Sequence, residues 1–71
     1  MSNYIYAIAG DENVIKTISA SSIRNAEEKI IERYRNDFEI DEEFDNYHQF
    51  KNYLWDNYEL LISNPQDIEA I

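Results

Sequence analysis

Residues 14–36, VIKTISASSIRNAEEKIIERYRN, change hydrophobic period part-way along, and the fold follows from that change. As far as Ala20 the stretch is β-rich, with Val14, Ile18 and Ala20 on one face of a strand and Lys16 interrupting that face. Ser22 then supplies the side-chain oxygen that a helix N-terminus needs. Beyond it Ile23, Ala26, Ile30 and Tyr34 recur at steps of three and four, with Ile31 beside them. That spacing predicts a helix to about Asn36 with a single apolar stripe. The opposite face mixes Glu27, Glu28, Lys29, Glu32, Arg33 and Arg35, whose charges balance as on a solvated surface.

Upstream, residues 3–9 alternate as a strand does: Tyr4, Tyr6 and Ile8 one way, Ile5, Ala7 and Ala9 the other. Gly10-Asp11-Glu12-Asn13 reads as a turn, so the two strands form an antiparallel hairpin. Apolar residues on both faces of the first strand place it at the centre of a sheet, or under cover on both sides.

Downstream, DFEIDEEFD at 37–45 holds six acids in nine residues, set around Phe38, Ile40 and Phe44. This is expected to be a connector turning into a second helix capped by Asp41 or Asp45. Phe44, Tyr47, Phe50, Leu54, Trp55 and Tyr58 fall within an arc of roughly 140° on such a helix. Asp45, Asp56 and Glu59 lie opposite, and Tyr53 points away from the arc and should be exposed. ELLIS at 59–63 can extend the helix or form a third strand, and Asn64-Pro65 ends either one. A strand near residues 60–63 is preferred, because a hairpin alone is marginal. The expected class is α+β: one small domain over residues 1–71, a hairpin plus third strand packed on two helices in the order ββααβ. The alternative is ββαα with a longer second helix. Residues 64–71 are expected to be a loosely held tail, with Ile68 and Ile71 as anchors.

Composition narrows the function classes. At 71 residues the chain is near the lower limit for folding without staples. It has no cysteine, hence no disulfide and no thiolate zinc site. A hydrophobic content of 44% with ten aromatic residues can sustain one core, and single Gly and Pro residues argue against disorder. Apolar runs are too short for a membrane span or a secretory leader, so a location in a reducing cytoplasm is expected. The net charge of −9 is unevenly distributed. Residues 1–36 carry five acids and five bases, whereas residues 37–71 carry ten acids and one base, Lys51. Direct binding to nucleic acid or to an anionic membrane is disfavoured by that balance, and a basic partner is favoured.

Catalytic and metal chemistry find little support. The one histidine, His48, cannot build a zinc site. A calcium loop starting at Asp37 would need Gly and Glu where Glu42 and His48 stand. Ser19, Ser21, Ser22 and Ser63 lack a base and orienting group, and Gly10 alone makes no phosphate loop. The chain is therefore expected to be a binding protein without cofactor, metal or enzymatic activity.

The candidate partner-binding residues are Asp37, Glu39, Asp41, Glu42, Glu43, Asp45, Asp56 and Glu59, with Tyr53 as an aromatic anchor. Residues 37–45 span ~12 Å if helical or ~26 Å if extended. Six charges over that length average one per ~2–4 Å, against ~3.4 Å along one strand of DNA. Carboxylates at that density can meet Lys and Arg that otherwise hold phosphates. Tyr and Trp are common binding anchors, although Phe50, Leu54 and Tyr58 are core by spacing.

The run TISASSIRNAEEKIIERY resembles the strand–cap–helix junction of the DpnD/PcfM-like small domain over residues 3–36. The Ile-, Asn- and Tyr-rich composition is similar to that of proteins from AT-rich genomes, phages included. In size and acidity the chain resembles phage and mobile-element inhibitors of bacterial defence, such as anti-CRISPR proteins and anti-restriction DNA mimics. That resemblance implies an inhibitor that binds the basic nucleic-acid-binding surface of a bacterial enzyme or CRISPR effector. The alternative is a small regulatory or adaptor protein, open to homo-oligomer formation (a homodimer included) through a sheet edge or aromatic helix face, whose acids serve solubility only.

Overall fold

In the computed structural model, which describes residues 2–10 and 13–68, strand β1 (Ser2–Ala9) pairs antiparallel with β2 (Val14–Ala20) from Ser2↔Ala20 to Ile8↔Val14. Alternation puts Tyr4 and Tyr6 on the covered face, where both are buried. β1 is the central strand, but the helices cover only one of its faces; Ala7 on the other is exposed.

Helix α1 (Ile23–Asp37) starts where Ser22 adopts extended backbone and its Oγ accepts the Asn25 N–H at 3.1 Å. Ala26, Ile30 and Tyr34 carry its buried stripe, while Ile23, the first residue of the helix, stays exposed. The helix closes with the Ile40 N–H donating to the Arg35 carbonyl at 2.9 Å around Glu39, whose φ is 53°. This is a Schellman-type end, in which Ile40 is the buried apolar residue just past the turn.

Helix α2 (Tyr47–Tyr58) is capped by Asn46, not by Asp41 or Asp45. The Asn46 side chain accepts the Gln49 N–H at 2.9 Å, and the Gln49 side chain accepts the Asp45 N–H at 3.0 Å. That reciprocal exchange resembles a capping box, and a neutral amide performs it among many acids. Phe44 therefore precedes the helix, yet it still packs on Phe50 at 5.5 Å. Tyr47, Phe50 and Leu54 form the buried face. Trp55 and Tyr58, expected in the same arc, are 52% and 40% exposed, because a helix of three turns meets the sheet along a narrower stripe. The core joins these three residues to Tyr6, Ile30, Tyr34 and Ile62.

The third strand is β3 (Leu61–Ile62), on the side of β1 opposite β2. A fourth, β4 (Gln66–Asp67), pairs with the same strand, so the segment expected to be loose from residue 64 is held as far as Asp67. Ile68 is 40% exposed; Ile71 lies outside the described residues. Register explains the break between β3 and β4. Ile62 pairs with Ile8 and Gln66 with Ile5, so four steps on one strand oppose three on the other. One extra residue makes a bulge, and Pro65 is buried in it, where its missing N–H costs the ladder nothing.

Ring contacts fix the direction of the helices. Tyr34 meets Phe50 at 6.2 Å and Phe38 stacks on Tyr58 at 4.7 Å, so both helices advance the same way. The connection through residues 39–46 must therefore run back along them as a strap.

Candidate functional site

The strap exists because its apolar and acidic residues have different destinations. Ile40 is buried and Phe44 half-buried, which pins the chain at two points. Glu39, Asp41, Glu42, Glu43 and Asp45 are all exposed around those pins. Asp37 ends α1, and Asp56 and Glu59 lie at the end of α2; these too are exposed. The Phe38–Tyr58 stack brings the two helix ends together, and Asp37, Asp56 and Glu59 each stand in or next to the last turn of a helix, where its dipole presents the negative pole. α2 has no basic residue in its last turn to offset this.

Three of the six Lys and Arg side chains are engaged away from the strap. Among the described residues one side-chain ion pair forms, Arg24 with Glu28 at 3.9 Å on the outer face of α1. Lys51, the single base of the second half, donates to Asn64 Oδ1 at 2.8 Å, and Lys29 donates to the Ser19 carbonyl at 2.8 Å. None of the eight carboxylates is in an ion pair with a described residue.

Tyr53 departs from expectation. It is half-buried, with its ring edge-on to Phe44 at 5.3 Å and tilted against Tyr58 at 6.2 Å. Because Phe44 sits on the strap and not in the helix, it folds back over the face where Tyr53 would have been open. The Tyr53 phenol is raised above its ordinary range, first by desolvation, then by Tyr58 and by the nearby carboxylates of Glu42 and Asp41. One edge of the strap thus places aromatic rings beside carboxylates.

Other surfaces carry less chemistry. His48 is exposed and borders a shallow groove with Glu27, Tyr47, Lys51 and Asn64. Among the described residues no three acids or histidines are gathered to hold a metal ion. No described helix is long and apolar enough to cross a membrane. Three features around the candidate surfaces were not expected from the sequence: the left-handed backbone at Glu39 and Glu59, the Asn46 cap, and the uncharged outer face of the sheet. The second could have been found from the Asn-x-x-Gln spacing at 46–49.

Comparison of the chain with protein-family models, with curated proteins and with solved structures finds no match.

Proposed function

We propose that this protein is a non-catalytic inhibitor that lays its acidic strap into the basic nucleic-acid-binding groove of a bacterial DNA- or RNA-handling protein. This is the contact implied by the chain's resemblance in size and acidity to phage and mobile-element inhibitors of the anti-CRISPR or DNA-mimic type. The observation that carries the reading is the exposure of all eight carboxylates without an ion-pair partner among the described residues. The charge density supports it: residues 37–45 carry six carboxylates in nine positions, a linear density comparable to the one charge per ~3.4 Å of axis on a single nucleic-acid strand. A further support is conformational. Glu39 and Glu59 occupy left-handed backbone that glycine or asparagine would adopt more cheaply, so carboxylates stand at both helix ends despite a local cost of about 1 kcal/mol each.

Bound in this way, the strap meets Lys and Arg, with attraction speeding encounter more than it deepens affinity. The test is capture of a basic protein from bacterial lysate on the immobilised chain, followed by competition with DNA or RNA. Release by nucleic acid, weakening with salt, and loss on changing Asp41, Glu42, Glu43 and Asp45 together to amides are the expected results. Binding that ignores nucleic acid, salt and the four amides refutes the mode of action.

A further inference from the structure

The outer face of the sheet has no charged side chain among the described residues. Cross-strand partners share a face, so the register assigns to it Asn3 with Ser19, Ile5 with Thr17, and Ala7 with Ile15. The same pairing adds Leu61, opposite Ala9, and Gln66, opposite Ile5. Lys16 and Asp67 pair with Tyr6 and Tyr4 and so belong to the helix-covered side. Ile15 is 70% exposed and Leu61 57%, the two most exposed large apolar residues of the described chain. An antiparallel sheet commonly turns a solvated face outward, but that face is then polar and usually charged. Here 30% of the chain is charged and none of that charge is on this face.

We infer that this face is where a second copy of the chain docks, sheet against sheet, in a weak two-fold pair. The choice of occupant rests on charge. Two copies at −9 each repel through every acidic surface, and the uncharged face is the one they can share. A cationic partner gains nothing there and is drawn to the strap on the other side of the sheet. A two-fold axis brings the same patch to itself, and two such sheets pack with strands about 30° apart, Ile5 and Ile15 of one copy between those of the other. Size fixes the strength. Seven residue pairs in length and three strands in width give a footprint of about 23 by about 14 Å, roughly 300 Å² per copy. A stable interface needs about 800 Å² per partner, so the pair forms only at high concentration. Pairing leaves both acidic straps facing outward, and a dimer would be a bivalent binder.

Sedimentation equilibrium of the full chain, up to about 1 mM protein and at low and high salt, tests this. The mass is expected to rise above 8.5 kDa with concentration, and to rise further with salt, which screens the repulsion between copies. Ile15→Glu and Ala7→Glu should each weaken association at least about tenfold, because like charges then meet across the axis. Ala7 is on the central strand, so Ala7→Glu disables face packing but leaves the β2 edge free to pair. Far-UV circular dichroism confirms that both variants are folded. A monomer at every concentration, association that falls with salt, or association undisturbed by Ala7→Glu overturns the inference. Salt acts in the opposite sense on the strap's binding to a basic protein, so the two readings fail separately.

Discussion

Ser63 and Ala7 make a two-bond exchange in which a hydroxyl replaces a backbone carbonyl: the Ser63 N–H donates to the Ala7 carbonyl at 2.9 Å, and Ser63 Oγ accepts the Ala7 N–H at 2.8 Å. The Ser63 carbonyl is thereby freed to accept the Tyr47 hydroxyl at 2.8 Å. One serine thus carries the ladder across the bulge and ties the start of α2 to the sheet.

Ser63→Ala should cost about 1 kcal/mol, the worth of a hydrogen bond whose donor can still reach water. Tyr47→Phe should cost about 1–2 kcal/mol, since it strands a partly buried carbonyl. Ser63→Thr keeps the hydroxyl and should cost less than either. Urea unfolding at neutral pH ranks the three, and equal midpoints for Ser63→Ala and the parent chain would contradict the assignment.

Alkali should unfold the protein. Tyr34 and Tyr47 both titrate well above their ordinary value of 10.0. Burial is the main cause for each, followed by Tyr6 for Tyr34 and by Glu27 for Tyr47. Above pH ~10 the unfolded chain gives up protons that the folded chain keeps, so stability is intact below that pH and falls as pH rises through it. The slope is at most about 1.4 kcal/mol per pH unit for each group. Urea midpoints at pH 8, 10 and 11 measure the fall, which Tyr34→Phe should make shallower.

The α+β class, the hairpin, α1 with its Ser22 cap and a third strand near residues 60–63 were all legible in the sequence, because each rests on local chemistry. What escaped depends on distant partners. The pairing of Gln66 and Asp67 requires a bulge at Pro65, which a proline reads as a stop and not as a detour. The exposure of Trp55 and Tyr58 reflects how little sheet lies under α2. Tyr53 was misplaced for the converse reason: helical spacing points it outward, and the strap's Phe44 then covers it. The acids of residues 37–45 were legible as a charge run, but their layout as a returning strap depends on the helices running the same way.

Core truncation should be decisive in so small a domain. Phe50 is fully buried and touches Tyr34, Phe44 and Tyr47. Phe50→Ala should cost about 3–5 kcal/mol, as much as a single core of this size usually provides. The variant should be largely unfolded at 25 °C by circular dichroism. Ile30→Val, at about 1 kcal/mol, should remain folded with a lower melting temperature.

Stability and binding should trade against each other at the helix ends. Glu39 and Glu59 have φ of 53° and 55°, a region that glycine enters without steric cost. Glu39→Gly and Glu59→Gly should each raise stability by about 1 kcal/mol or somewhat less, because the added freedom of the unfolded chain offsets part of the relief. Each removes one carboxylate as well, so binding to a basic partner should weaken. Glu39→Gln separates the effects: it keeps the backbone penalty and loses the charge, and should weaken binding with no gain in melting temperature. Glycine variants that gain stability and bind the partner as tightly as the parent chain would show that these two carboxylates contribute nothing to recognition.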